Sequence, residues 1–186
     1  MKKLIALLSA LIMCFAFTAC KNNPTNNASD TPTATAECTE QDIRTLMERN
    51  LDCYFMFYVS PLGHTTQQNS DGYFGVDEAY ISDYASLKDM VYGTYTAATA
   101  ERLLNHPSAD TPLYKDVDGK IFMKDDVIDP VTYNIAWDDY KVEITENSTE
   151  KCSFTLTTTD FDGKEYKADG IAVNENGTWL FETIIY

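Results

Sequence analysis

The side chains of this 186-residue sequence that could do chemistry are its cysteines, its histidines and its closely spaced acidic residues. The five cysteines are Cys14, Cys20, Cys38, Cys53 and Cys152. A cysteine thiol can be lipidated, form a disulfide, bind a metal or act as a nucleophile. The compartment and the neighbours of each sulfur decide which of these reactions is available.

Cys20 ends an N-terminal segment with the order of a secretory signal. Two lysines precede an apolar run at residues 4–17, and the small residues of Thr18-Ala19-Cys20 follow it. The apolar run is shorter than the roughly 20 residues that a membrane-spanning helix needs. A cysteine at this point resembles a bacterial lipobox, in which the thiol is diacylated. We therefore predict a lipoprotein signal peptide at residues 1–19 and lipidation of Cys20, with plain secretion or an uncleaved anchor as the alternatives.

This prediction places the protein outside the cytoplasm, lipid-anchored to the outer face of the bacterial cytoplasmic membrane. Residues 21–37 (KNNPTNNASDTPTATAE) contain no large apolar side chain, so they cannot offset the entropy of ordering the chain. We expect residues 20–37 to be a disordered tether. The remaining residues, 38–186, have the length of a single domain.

The chain is strongly acidic. Its formal net charge is −15, and loss of residues 1–19, which include Lys2 and Lys3, changes it to −17. A negative field repels nucleic acids and anionic lipid headgroups, so we expect no nucleic-acid partner and membrane contact only through the lipid. The charge suits a cationic surface on a partner protein, and it also promotes solubility.

Three cysteines, Cys38, Cys53 and Cys152, fall inside the predicted domain and can supply one disulfide in an oxidising compartment. A Cys38–Cys53 bridge is disfavoured if a continuous helix separates them, because 15 residues rise about 22 Å. A bridge to Cys152 would tie the first helix to the sheet. The pairing stays open, and free buried thiols are the alternative.

Histidine chemistry has little support in the sequence. His64 lies in a polar loop and His106 just precedes Pro107, and neither spacing indicates a cysteine–histidine pair. The sequence contains no His-x-x-x-His, Cys-x-x-Cys or glycine-rich phosphate loop. We therefore expect no catalytic residue, no metal site and no cofactor.

Acidic clusters are the third candidate for chemistry. Asp125-Asp126 with Asp129, and Asp138-Asp139, could serve as acid and base on a glycan, but we expect them in exposed turns. Three further segments share the pattern Asx-x-Asx-Gly and could be taken for calcium loops. They begin at Asp116, Asp160 and Asn174. Because the last has no carboxylate pair, hairpin turns explain all three better than calcium does.

The elements that must position these residues follow from hydrophobic periodicity. A capping pattern at residues 39–42 and apolar residues at intervals of three and four predict a helix at 40–58. Residues 62–72 predict a loop, and residues 80–81 a short strand. Helices capped by Ser86 and Thr96 follow, the second covering residues 97–105.

After Pro112 the hydrophobic period changes to two and predicts strands. Their predicted ranges are 113–115, 120–124, 132–137, 140–145, 152–159, 164–173 and 178–186. The fold class is therefore α+β, with an N-terminal helix and a helix pair packed on a curved, mostly antiparallel sheet. The last strand is apolar on both faces, so we expect it to be central in the sheet.

Four segments between residues 73 and 186 share spacing and hydrophobic character with a known family. They are residues 80–104 (YISDYASLKDMVYGTYTAATAERLL), Asp118-Gly119-Lys120-Ile121-Phe122, Trp137, and Gly177-Thr178-Trp179-Leu180. In them the chain resembles the DL-endopeptidase inhibitors of Gram-positive cell walls and, more broadly, exported proteins with a cystatin-like or nuclear-transport-factor-like cone. The resemblance implies noncatalytic binding of cysteine-peptidase-type peptidoglycan hydrolases and blockage of their active-site cleft.

The sequence thus predicts a cell-surface lipoprotein with a noncatalytic domain that binds a cell-envelope protein. The narrower expectation is that this partner is a peptidoglycan hydrolase that the domain inhibits. The alternatives are a small-ligand-binding or enzymatic cone, in which aromatic side chains line a concave face, and a structural lipoprotein of an envelope complex.

Overall fold

A computed structural model describes residues 36–77, 81, 83–105, 111–125, 131 and 133–186. The described chain forms three α-helices: α1 (Glu40–Tyr54), α2 (Tyr84–Tyr92) and α3 (Ala97–Leu104). Its strands are β1 (His64–Gln68), β2 (Phe74–Val76), β3 (Tyr114–Val117), β4 (Lys120–Met123), β5 (Ile135–Asn147), β6 (Lys151–Asp160), β7 (Glu165–Glu175) and β8 (Thr178–Phe181). The predicted α+β class is therefore confirmed.

The strands form two four-stranded antiparallel sheets. The first has the order β1-β2-β4-β3 and the second the order β5-β6-β7-β8. The second sheet carries the longer strands, and its buried side chains include Cys152, Phe154 and Leu156 on β6. None of the helices formed by the described residues is both long enough and apolar enough to span a bilayer.

Helix α1 begins where the capping pattern predicts. The Thr39 hydroxyl accepts a hydrogen bond from the Asp42 amide at 3.2 Å, and the Asp42 carboxylate accepts one from the Thr39 amide at 2.8 Å. The helix continues into a π-helical turn at Phe55–Val59, which completes the predicted range. Its buried residues are Ile43, Leu46, Met47, Asn50, Cys53 and Tyr54.

The segment after α1 is more ordered than its composition suggests. The predicted loop at 62–72 contains β1, and β2 follows at a place where no strand is predicted. Of the strand predicted at 80–81, Tyr80 lies outside the described residues and Ile81 is not in a strand. Helix α2 begins before Ser86, because Asp83 is the N-cap and accepts a hydrogen bond from the Ser86 amide at 2.8 Å.

The three Asx-x-Asx-Gly segments are hairpin turns, as predicted. Each connects antiparallel neighbours: β3 to β4, β6 to β7, and β7 to β8. The carboxylate of Asp116 accepts the Gly119 amide at 2.7 Å, and the Asn174 side chain accepts the Gly177 amide at 2.8 Å. Gly119, Gly163 and Gly177 have φ between 81° and 90°, a conformation that glycine tolerates best.

Strand β5 joins two strands that the sequence predicts as separate. The register changes between Ala136, opposite Thr159, and Lys141, opposite Thr157, so that residues 137–140 face Thr158 alone. The Thr158 hydroxyl donates to the Ala136 carbonyl across this bulge. The bulge interrupts the period of two and so explains the predicted gap. It also leaves Asp138 and Asp139 exposed on a strand, where the sequence predicts a turn.

The expectation that the last strand is central is wrong. Strand β8 lies at the edge of its sheet and pairs with β7. The connection between α2 and α3 covers its free edge, because the Phe181 amide donates to the Thr94 carbonyl at 2.8 Å and the Thr96 amide donates to the Phe181 carbonyl at 3.0 Å. Leu180 and Phe181 are buried, so the strand is apolar without being an open edge.

The segment after β8 is held without a regular ladder. The Glu182 amide donates to the Ile171 carbonyl of β7 at 2.9 Å, and the Thr99 hydroxyl of α3 donates to the Glu182 carbonyl at 2.6 Å. Further along, the fully buried Asn50 side chain of α1 bonds both backbone groups of Ile185, at 2.7 Å and 3.0 Å. These contacts fix residues 182–186 between the helices and the second sheet.

Gly170 of β7 provides a test of how closely this sheet is packed. It lies directly opposite Phe154 of β6, and a Cβ at position 170 would overlap the Phe154 ring and lie 2.9 Å from Cδ1 of Ile185. We predict that Gly170→Ala lowers the free energy of unfolding by about 2–3 kcal/mol, because a well-packed site has no room for a methyl group. Urea unfolding followed by circular dichroism measures it.

The matched control is Gly75→Ala on β2, where an added Cβ would lie 3.8 Å from the Phe122 ring, an ordinary contact. We expect its effect to stay within about 1 kcal/mol. Equal effects of the two substitutions would contradict the close packing of Phe154 over Gly170.

Candidate functional site

The cysteines are the first predicted site residues to locate. Cys20 lies outside the described residues, whereas Cys38, Cys53 and Cys152 are buried free thiols. The side chains of Cys38 and Cys152 interact with each other. Cys53 has different neighbours, Thr94 and Tyr95.

Burial controls the reactivity of these thiols. It raises the pKa of Cys53 to about 12, and it also raises the pKa values of Cys38 and Cys152. The thiolate is the reactive form of cysteine, and burial keeps these groups protonated at neutral pH. In this state they are poor nucleophiles.

The histidine and acidic candidates are dispersed. His106, Asp126 and Asp129 lie outside the described residues. The His64 ring packs on Phe74 with centroids 4.4 Å apart, and its Nε2 lies 4.0 Å from the Asp125 carboxylate. Within the described part of the chain, no three His, Cys, Asp or Glu side chains are grouped so as to hold a metal ion.

The most distinctive surface feature is a shallow depression that we call the tyrosine cleft. It is lined by Tyr54, Val131, Tyr133, Asn134, Ile135, Tyr166 and Tyr186 and has a cavity volume of about 250 Å³. Its residues come from the end of α1, from residues 131 and 133–135 at and before the beginning of β5, from the beginning of β7 and from the segment after β8. The cleft therefore depends on contacts between elements that are distant in sequence.

Stacked rings build the walls of the cleft. The Tyr54 ring stacks on Tyr186, with centroids 5.4 Å apart and planes 8° from parallel, and on Tyr58 at 5.6 Å. On the other side, Tyr133 contacts Phe55 edge to face at 4.6 Å. The Tyr166 hydroxyl donates to the Tyr186 carbonyl at 2.7 Å and fixes the two walls relative to each other.

Exposed apolar side chains surround this cleft. Among the described residues, the large hydrophobic side chains that are exposed are Val131 (42%), Phe161 (64%) and Tyr186 (60%). Val131 and Tyr186 line the cleft, and Phe161 contacts Tyr133 with ring centroids 5.8 Å apart. Exposed apolar side chains that are grouped in this way indicate a binding surface, whereas isolated ones are ordinary.

A second depression opens at the same end of the sheet, and we call it the acidic groove. It is lined by Ala136, Asp138, Asp139, Lys141, Thr157, Thr158, Thr159, Gly163 and Glu165. The β6–β7 turn is shared by both features, because it carries Phe161 beside the cleft and Gly163 beside the groove. The apolar surface thus has negatively charged residues next to it.

The sequence did not identify the tyrosine cleft, although it contained one signal. Phe161 stands between two aspartates in a predicted hairpin turn, where a large aromatic side chain must project into solvent. Tyr133, Tyr166 and Tyr186 gave no such signal, because they lie in strand-like patterns that also describe core residues.

Trp137, one of the residues of the family resemblance, is buried, and its ring contacts Tyr166 edge to face at 5.9 Å.

No protein-family model matches the chain, and no curated protein is similar to it at a significant level.

The tyrosines predict a specific dependence of stability on pH. Burial raises the pKa values of Tyr54, Tyr58 and Tyr133 above 10.0. The folded chain therefore keeps protons that the unfolded chain releases above about pH 10. We predict that the free energy of unfolding decreases as the pH rises above about 10, whereas these groups have no effect below it. Urea titrations at several pH values measure this.

A Tyr133→Phe variant supplies the control, because it removes one of the raised groups while keeping its ring. Its stability should decrease less steeply with alkaline pH than that of the unmodified chain. Identical slopes would show that Tyr133 titrates as it does in the unfolded state.

Proposed function

We propose that this chain is a lipid-anchored cell-surface protein whose folded domain binds another protein of the cell envelope through the tyrosine cleft, without catalysing a reaction. One observation supports this most strongly. The exposed large hydrophobic side chains of the described chain, Val131, Phe161 and Tyr186, lie together around one cleft rather than being scattered. A protein partner would remove them from water.

The size and composition of the cleft favour a protein partner over a small ligand. Pockets for small molecules usually have volumes of about 300–1,000 Å³. A volume of about 250 Å³ is smaller and suits one or two inserted side chains. Tyrosine is also enriched at the centres of protein interfaces, because its ring supplies contact area and its hydroxyl a hydrogen bond.

Charge suggests what the partner surface looks like. Asp138, Asp139 and Glu165 line the acidic groove, and the whole chain has a formal net charge of −15. A partner surface with Lys or Arg around an apolar side chain would complement the tyrosine cleft and the acidic groove beside it. Such complementarity mainly accelerates association and excludes acidic partners.

The narrower proposal is that the partner is a peptidoglycan hydrolase of the cysteine-peptidase type and that binding blocks its active-site cleft. Its support is the resemblance of residues 80–104, Trp137 and the β7–β8 turn region to the DL-endopeptidase inhibitors. Trp137 packs edge to face against Tyr166, so one of the resembling residues contacts a residue that lines the tyrosine cleft. In this proposal the exposed Phe161 enters the hydrolase cleft.

A turbidity assay tests the proposal. The full-length chain, added in large molar excess to walls digested by a wall-lytic extract, should slow the loss of turbidity. Phe161→Ser should weaken this inhibition at least about tenfold, because truncating a central aromatic contact typically has such an effect on binding. The matched control is Gln67→Ser, which replaces an exposed side chain of β1 in the other sheet and should inhibit like the unmodified chain.

Two outcomes would contradict different parts of the proposal. If the unmodified chain does not slow lysis, hydrolase inhibition is wrong, and crosslinking on intact cells followed by mass spectrometry identifies the envelope protein that is bound. If Phe161→Ser binds that protein as tightly as Gln67→Ser does, the tyrosine cleft is not the binding surface.

A further inference from the structure

Two cysteines that are distant in sequence meet at one end of the second sheet. Cys38 directly precedes Thr39, the N-cap of α1. Its carbonyl accepts a hydrogen bond from Nδ2 of Asn147 at 2.8 Å, and Asn147 lies directly opposite Cys152 on the neighbouring strand. One side chain thus holds the backbone of Cys38 beside the strand position of Cys152.

The two sulfurs share one buried environment. Cys38 is 3% exposed and Cys152 is fully buried, and their side chains interact with each other. Two buried thiols that interact and are held by backbone on both sides can form a disulfide without a large movement of the chain.

We propose that Cys38 and Cys152 form a disulfide in the mature protein, and that Cys53 remains a thiol. The contacts of Cys53 exclude it from this pair. It lies on α1 beside Thr94 and Tyr95, and the helix from Glu40 to Tyr54 separates it from Cys38. The geometry therefore selects one of the three pairings that the sequence leaves open.

The oxidation requires an acceptor of two electrons, which we identify by class as a disulfide compound, such as oxidised glutathione or the active-site disulfide of an oxidoreductase. A thiolate of the pair attacks one sulfur of the oxidant and forms a mixed disulfide, releasing one thiol. The second thiolate then displaces the remaining half. One S–S bond forms in the protein, one breaks in the oxidant, and the two protons pass to the released thiols.

Burial raises the pKa of both Cys38 and Cys152. Burial makes the reaction slow, since the thiolate fraction is small at neutral pH.

The bond would close a loop of roughly 110 residues, and a long loop is where a disulfide constrains the unfolded chain most. It would also join the start of α1 to β6. Any force that the predicted tether transmits to Cys38 would then be carried by the second sheet instead of unwinding α1 from its first turn.

Differential alkylation of the full-length chain tests the pairing without any variant. The chain is equilibrated with a glutathione redox buffer, denatured and labelled with one alkylating reagent, then reduced and labelled with a second. Peptide mapping by mass spectrometry should find the second label on Cys38 and Cys152 and the first on Cys53. The first label on both Cys38 and Cys152, or a bridge that includes Cys53, would overturn the proposal.

A stability measurement provides the second readout. Adding a reductant to the oxidised chain should lower Tm by roughly 5–15 °C, as expected for loss of a bridge that closes a long loop. Cys53→Ser should keep this response, and Cys152→Ser should lose it. A Tm that does not change on reduction of the unmodified chain would show that the bridge is absent or does not constrain the fold.

Discussion

The arrangement of this domain depends on the buried amide of Asn50. Its oxygen accepts from the Ile185 amide at 3.0 Å and from the Tyr95 hydroxyl at 3.0 Å, and its nitrogen donates to the Ile185 carbonyl at 2.7 Å. The Asn50 side chain thus forms the hydrogen bonds with the Ile185 backbone that a neighbouring strand would otherwise form. It also binds Tyr95, which lies in the connection between α2 and α3. A buried polar group without such a partner costs about 1–3 kcal/mol, so the amide specifies one position for each of these elements.

The proposed binding surface follows from that constraint. Because Ile185 is fixed, Tyr186 is placed where its ring stacks on Tyr54 and its carbonyl accepts the Tyr166 hydroxyl. These contacts bring α1, β7 and the C-terminal segment together as the walls of the tyrosine cleft. A cleft built on fixed backbone can present exposed aromatic side chains without losing much side-chain freedom on binding. The connection between α2 and α3 covers the edge of β8. The exposed large hydrophobic side chains of the described residues are therefore concentrated around the tyrosine cleft.

The sequence predicts local features well and long-range features poorly, for identifiable reasons. The Thr39–Asp42 capping box and the three Asx turns were predictable because each depends on residues within four positions of one another. The division of the strands into two sheets, the edge position of β8 and the bulge at residues 137–140 depend on pairing between distant segments. The meeting of Cys38 and Cys152 also depends on such pairing. For the tyrosine cleft, only Phe161 carried a sequence signal, since its walls come from four separate elements.

Amide hydrogen exchange at Ile185 measures directly whether Asn50 holds the C-terminal segment, because this amide donates to the Asn50 side chain. We expect the Ile185 amide to exchange as slowly as the central amides of β6, such as that of Leu156, because both open only when the domain unfolds. Exchange of the Ile185 amide at the rate of an unstructured peptide, while Leu156 remains protected, would show that the C-terminal segment is not held by Asn50. The tyrosine cleft would then lack one of its walls.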